Sequence, residues 1–434
     1  MEIADQIYDK LSRKGLDNIV VENVRENNSQ VRFSRDSKDI FNLWVEDSTK
    51  VFVSRGKKTA SSQIQDYSQV DNFVEKLLFM LEHTPENENF RGINPDKQDY
   101  SGVKLVKPGD EDIQELSKIM VGSALDEKAD RVAGLIYKKH LNTVLVTSYN
   151  RVEYTTGGYE FLIRAFKGEM TGQESTHVGT DTSGLGTVAS DLGKRAAQTA
   201  SLVDSRSEGR SGKFKVLMSP YMIGNILSYG SPFFSAYTVE AGFSCFADML
   251  NKPLGNSFLN VVDDPTDISG IGYRPVDDEG TVTSSKSLVE AGVLKRFLHS
   301  YSTASRSNTV TTGNAGIISP EAFQLKLLPG DSSEEEMLSS MDEGLYIRNA
   351  WYTRFQDYRN GIFSTVPRDG VFLVRNGEIA EAWVGIRISD SIPSILRNVE
   401  QISKESQNVK WWEEIFASNM PSVLVKDVTV TKAF

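Results

Sequence analysis

Four histidines (His83, His140, His177 and His299) and one cysteine, Cys245, are the whole supply of imidazole and thiol in this 434-residue chain. A zinc peptidase needs two imidazoles on one helix face, at i and i+4 or a near variant, usually with a Glu to activate water. Here the histidines stand tens of residues apart, so no local pair exists. His299, within Phe297-Leu298-His299-Ser300-Tyr301, reads as a hydrogen-bonded structural histidine. Cys245 sits beside Phe243 and Phe246 on an apolar stretch and reads as a small core residue rather than a nucleophile. The acidic groups Asp263-Asp264 and Asp277-Asp278-Glu279 could hold a hard cation such as Ca²⁺. Capping of turns is the commoner use of such carboxylates.

Other catalytic signatures fail on spacing or context. Ser183-Gly184-Leu185-Gly186-Thr187-Val188-Ala189 matches G-x-G-x-x-A at a helix start, with Asp204 near the acidic offset. A dinucleotide fold also needs a buried strand just before the first glycine. The stretch Ser175 to Thr182 is polar, so a flexible loop entering a helix is expected instead. Gly193-Lys194-Arg195 and Gly212-Lys213-Phe214 lack the Ser/Thr that follows a P-loop lysine, and no G-x-S-x-G elbow occurs.

The elements that must position these residues read as helix and strand in alternation. Ile3, Ile7 and Leu11 recur every four residues before Gly15. Short strands are expected at Ile19–Val21, Val31–Phe33, Phe41–Val45 and Val51–Val53, then a helix with Val70, Phe73, Val74, Leu77 and Leu81 on one face. Thr84 to Gly102 is polar and Pro/Gly-containing, as a linker would be. A helix with Ile113, Leu116, Ile119 and Met120 leads into a meander of four short strands. Asn150 and Gly157-Gly158 are its expected turns. A helix from about Leu185 to Val203 follows, and Asp204 to Gly212 is the best domain boundary.

Beyond the boundary, Phe214–Met218 reads as a strand and Ser219-Pro220 as a helix start. A second helix is expected from Tyr237 to Leu250, and another through Ile395, Val399 and Ile402. Asn376-Gly377 marks a type I′ hairpin. The expected class is α+β: an N-terminal α/β region of two small subdomains (1–100 and 101–205), then a β-rich C-terminal domain (206–434). Lys plus Arg number 48 against 59 Asp plus Glu, a net charge of -11, which disfavours direct nucleic-acid binding. No apolar run approaches a membrane span, and Met1-Glu2-Ile3-Ala4-Asp5 does not resemble a secretory leader. The lone cysteine fits a reducing cytoplasm.

Several segments of the second half resemble the TldD/PmbA family, also called modulators of DNA gyrase. Val261-Val262-Asp263-Asp264-Pro265, then Gly272-Tyr273-Arg274-Pro275-Val276-Asp277-Asp278-Glu279-Gly280, is similar to its "DDP … G.RP.DDEG" signature. Gly292 to Leu298, Ser302 to Arg306, Thr311-Thr312-Gly313-Asn314-Ala315, Gly344 to Ile347, Asp357 to Ser364, Asn376 to Ala380 and Pro421 to Val425 follow in family order. The resemblance implies one of two subunit kinds. The TldD kind carries H-E-x-x-x-H on a helix and a cysteine ligand near the C-terminus. The PmbA or TldE kind lacks these ligands and pairs with TldD.

In Thr238-Val239-Glu240-Ala241-Gly242-Phe243-Ser244, the two histidine positions hold Val239 and Ser244, and Glu240 stands at the Glu. Phe416 to Met420 has no cysteine. The resemblance thus implies a subunit with no catalytic residue, metal or cofactor of its own, zinc being expected in a TldD-type partner. Unfolded or extended peptides are the implied substrates. The DDEG turn (Asp277, Asp278, Glu279, Gly280) and the TGNA segment (Thr312, Gly313, Asn314) are candidates for a substrate-cleft wall or for purely structural turns. A stand-alone hydrolase, a protein that binds gyrase or another partner, and a homodimer remain alternatives.

Overall fold

The computed structural model describes residues 2–433. The N-terminal region is built on β1 (Asn18–Arg35), β2 (Ser37–Arg55), β3 (Lys58–Ile64), β4 (Arg131–Thr147), β5 (Arg151–Lys167) and β6 (Met170–Val178). They form one antiparallel sheet in the order β3-β2-β1-β4-β5-β6, with strands from both sides of residue 100.

These strands are far longer than the short apolar runs suggest. Polar Glu22 to Gln30 stays extended because β1 is hydrogen-bonded to β2 on one side and β4 on the other. Backbone pairing on both edges holds a stretch that apolar alternation alone would break. Gly157-Gly158 is likewise no turn but lies inside β5, where a Cβ would meet Lys139 O at 2.2 Å and Val178 O at 2.3 Å. Ser175–Val178, expected as loop, is the end of β6.

Two helix pairs cover this sheet. Helices α1 (Ile3–Ser12) and α2 (Val70–His83) bury Ile7, Leu11, Val74 and Leu77 against one end of the strands. Helices α3 (Ile113–Asp126) and α4 (Leu185–Ala200) bury Met120, Leu192 and Ala196 against the other, over Tyr159 and Phe161. All four lie where the i, i+3, i+4 spacing of apolar residues places them.

The second sheet contains β7 (Arg206–Glu208), β8 (Gly212–Met218), β9 (Val261–Asp263), β10 (Lys286–Glu290), β11 (Val293–Leu294), β12 (Gln324–Leu327), β13 (Glu343–Asp357), β14 (Ile362–Arg375), β15 (Glu378–Val384), β16 (Ile386–Ser391), β17 (Val399–Val409) and β18 (Ala417–Lys432). Its main order is β11-β10-β9-β12-β18-β8-β13-β14-β15-β7. The molecule is α+β. Helix α5 (Pro220–Gly230) runs through the centre of the largest core and is buried on nearly every side. Ser219 Oγ accepts from Tyr221 N at 3.2 Å, the N-cap expected ahead of Pro220. Asn376 and Gly377 take φ of 50° and 79°, as a type I′ hairpin requires.

Two expected helices are corrected. Val399 and Ile402 belong to β17, and the helix before them ends at Arg397. The stretch from Tyr237 to Leu250 holds only the five-residue α6 (Ala236–Glu240). Gly242 at φ 73° ends it, and Ser244 Oγ bonds to backbone atoms of Phe233 and Phe246. Local side-chain bonds of this kind compete with a helical ladder. Phe246 is buried, while Phe243 and Leu250 are exposed.

Candidate functional site

The DDP, DDEG and TGNA segments come together in one hydrogen-bonded cluster around two buried carboxylates. Asp263, at the end of β9, accepts from Phe323 N at 2.9 Å, Gln324 N at 3.0 Å and Asn314 Nδ2 at 2.7 Å. Lys286 Nζ lies 3.4 Å from the same carboxylate, and burial lowers the lysine's affinity for its proton. Asp277 accepts from Glu279 N, Thr281 N and Ala315 N at 2.9–3.0 Å. Burial pushes the Asp277 carboxyl up to about 6 even though those three N–H groups favour its charged form.

Each candidate residue has a defined place. Gly280 at φ 80° closes the turn begun by Asp277, and Tyr100 OH donates to its carbonyl at 2.6 Å. Asp278 accepts from Ile317 N at 2.9 Å and pairs with Arg274. Glu279 accepts from Tyr301 N at 3.0 Å, and burial, then Asp277, raise its pKa well above the usual carboxylate range. Thr312 Oγ1 accepts from His299 N at 2.8 Å. Gly313, at φ 66°, sits where a Cβ would lie 2.9 Å from Val282 O. Asn314 is fully buried.

A cavity of about 340 Å³ opens beside this cluster, between the N-terminal sheet and the C-terminal region. Val20, Phe52, Phe90 and Ile93 are among its apolar lining residues, and Asp278, Glu279, Ser300, Thr303, Arg306 and Tyr237 line it too. Only Asp278 and Glu279 of the candidate cleft residues reach it. Asp277, Gly280, Thr312, Gly313 and Asn314 stand behind as its support.

The expected linker builds one wall. Asn94 Nδ2 donates to Thr281 Oγ1 at 3.0 Å, Ser302 Oγ donates to Gly92 O at 2.9 Å, and Arg306 bonds to Asn89 O. Phe90, Tyr237 and Arg306 were not among the candidate residues. Phe90 and buried Ile93, apolar residues in a polar Pro/Gly stretch, were the available signal.

The three positions that resemble a zinc motif do not line this cavity, and Glu240 meets it only through its partner Arg306. Glu240 is held by Arg306, whose Nε lies 3.2 Å from both carboxylate oxygens. Val239 packs against the main core. Ser244 Oγ donates to Phe233 O at 2.6 Å. A valine, a neutral serine and a glutamate neutralised by arginine do not make a zinc donor set. Among the described residues, no group of three or more His, Cys, Asp or Glu side chains is arranged to hold a metal ion.

Two of the four histidines are buried and hydrogen-bonded far from one another in sequence. His177 is fully buried on β6, its Nε2 3.0 Å from Ser418 O, and burial lowers its pKa to about 4. His299 is buried with Nδ1 3.3 Å from Thr303 Oγ1. Cys245 is partly buried against the core, and its thiol is pushed up to about 12 by that burial.

The whole fold matches solved structures closely in shape. A structure described as a modulator of a DNA gyrase from Thermotoga maritima superposes with a TM-score of 0.82 at 22% identity, covering 98% of this chain and 99% of that one. TldE from Thermococcus kodakarensis gives 0.81 at 16% identity, covering 99% and 100%. At these identities the likeness defines the fold class alone.

The sequence then gives the family. The model of the PmbA/TldA metallopeptidase C-terminal domain matches residues 211–432, just over half of the 434. The chain belongs to the PmbA/TldD metallopeptidase family. It is similar to a metalloprotease of Methanocaldococcus jannaschii, 30% identical over 200 residues, or 45% of this chain and 44% of that protein. A zinc metalloprotease TldD homologue of Saccharolobus solfataricus is 29% identical over 206 residues, 46% of each. The matched stretch thus spans less than half the length of each of these relatives.

Proposed function

We propose that this chain is the metal-free subunit of a TldD/TldE-type zinc metalloprotease acting on unfolded or extended peptides. Zinc, the activated water and hydrolysis belong to a TldD-type partner. The observation that carries this is the fate of the motif positions: Val239 is partly buried against the core, Glu240 is paired with Arg306, and Ser244 is bonded to the backbone. None offers the lone pair of an imidazole to a metal.

The cavity lined by Arg306, the partner of Glu240, supplies what a peptide-holding subunit needs. Its lining mixes apolar Val20, Phe52, Phe90 and Ile93, suited to side chains, with polar Asp278, Glu279 and Arg306. Asp278 and Glu279 are the candidate cleft residues that reach it. The buried Asp277 and the TGNA turn hold that wall in place. A reducing cytoplasm suits the single half-buried thiol, and no helix among the described residues is long and apolar enough to cross a membrane.

Reconstitution tests the proposal. Peptide hydrolysis by a zinc-bearing TldD-type subunit is expected to rise when this chain is added, with co-elution of the two. A partner equally active without this chain, and no co-elution, would contradict it.

A further inference from the structure

The N-terminal sheet ends on an uncovered strand. Strand β3 pairs with β2 only through Thr49–Arg55 and Ile64–Lys58. On the side away from β1, no strand of the described residues pairs with residues 37–48 of β2, and no turn or loop backbone bonds to 40–47 there. This edge is regular and accessible. Ile40 to Val45 contains no proline or glycine, and none of its residues has a positive φ. Ile40, Phe41, Asn42, Leu43 and Val45 are exposed, Leu43 to 68% and Val45 to 55%, and Trp44 is half-buried. Asp39 is skipped where Lys38 pairs with Phe33 and Ile40 with Arg32, a bulge that ends the regular edge on one side.

Ile40-Phe41-Asn42-Leu43-Trp44-Val45 is uncharged and, apart from Asn42, made of strong strand formers. Folded proteins cover or charge such an edge, because its free N–H and C=O groups are a template for another strand. The order of the residues specifies which strand. In an antiparallel pair, opposed residues both turn their N–H and C=O groups toward the partner or both turn them away. Two copies related by a two-fold axis must therefore pair about a residue, not between two. Centred on Asn42, Ile40 of one copy opposes Trp44 of the other, and Phe41 opposes Leu43. Asn42, the one polar residue, then meets itself. Centred on Phe41, Ile40 would face Asn42; centred on Leu43, Asn42 would face Trp44 and Ile40 would face Glu46. Phe41 and Leu43 share the sheet face of Val31 and Ser29, so about Asn42 the four side chains of two copies make one apolar stripe.

We propose that two copies of this chain associate by antiparallel pairing of their β2 edges about Asn42, joining two six-stranded sheets into one. The surface belongs to the N-terminal sheet and does not depend on the subunit role proposed above. The paired stretch is short, bounded by the bulge at Asp39 and by Val45, so the contact falls in the small class of interfaces. A dissociation constant on the order of 10 μM is expected.

Sedimentation velocity on the full chain, from about 1 to about 200 μM, should show monomer converting to dimer. Leu43→Lys should weaken the association roughly tenfold or more. Leu43 is exposed, so the variant is expected to fold. Single cysteines test the register. Under mild oxidation Asn42→Cys should give a disulfide-linked dimer, since opposed residues stand about 5 Å apart at Cα. Glu46→Cys should not, its counterpart being eight residues along the strand, roughly 26 Å away. The parent chain is the control, its one thiol at Cys245 being held protonated by burial. Hydrogen exchange within 40–45 should slow as the concentration of this chain alone is raised. A chain still monomeric at about 200 μM, a dimer unchanged by Leu43→Lys, no linkage through residue 42, or equal linkage through residue 46 would each overturn the proposal. So would protection of 40–45 that appears only when a TldD-type subunit is added.

Discussion

The two motif regions of the C-terminal half use their acidic residues in opposite ways. Around Asp263 and Asp277, carboxylates are buried and each receives three or more hydrogen bonds, mostly from backbone N–H groups. At Ala236–Ser244, Glu240 is partly exposed and bound by one arginine. The first arrangement fixes the course of four chain segments, so its sequence signature is one of architecture. The second leaves backbone structure independent of the side chain, so the motif positions could lose their ligands without loss of the fold.

That contrast predicts a graded series of stability changes. Asp263→Ala should be the most damaging, leaving Lys286 Nζ and two backbone N–H groups buried without their acceptor. A loss of about 3–5 kcal/mol is expected, read by chemical denaturation. Gly313→Ala should cost about 1–3 kcal/mol, because φ 66° strains an L-residue and the new methyl meets Val282 O. Equal stability of either variant with the parent would remove the structural reading of the cluster.

Next in size is a pH effect. Asp277 has a folded pKa of about 6, above its ordinary 3.8. The folded state therefore binds a proton more tightly than the unfolded chain. Its contribution is fully present below about 4 and is lost as pH rises through about 6. Glu279 shifts in the same direction. Relative to Asp277→Asn, the parent should lose stability between those pH values. A parallel pair of pH–stability curves would contradict the assignment. Glu240→Ala should come last, changing stability by less than about 1 kcal/mol, since it breaks a partly exposed pair. A thermal melt showing a large destabilisation would place Glu240 with the structural carboxylates instead.

Much of this was legible in the residues. Helices α1 to α5 announce themselves by apolar spacing, Ser219 by capping chemistry and Asn376-Gly377 by turn geometry. The strands were cut short because half-polar residues such as Glu22 and Asn23 are held by neighbours distant in sequence. Gly157-Gly158 looked like a turn because glycine permits turns and close backbone approach alike. The absent histidine pair was plain from composition. The assembly of the DDP, DDEG and TGNA segments around Asp263 and Asp277 was not, because contacts over 38 and 51 residues leave no local period. The cavity wall at Asn89–Ile93 has no apolar period because its burial comes from the surface it lies against, through contacts such as Ser302 Oγ to Gly92 O.

The most direct measurement is the zinc content and peptide-cleaving activity of this chain purified alone under metal-replete conditions. No stoichiometric zinc and no chelator-sensitive cleavage are predicted, with both appearing only when a TldD-type subunit is present. One zinc per chain, together with chelator-sensitive cleavage by the isolated protein, would contradict the account.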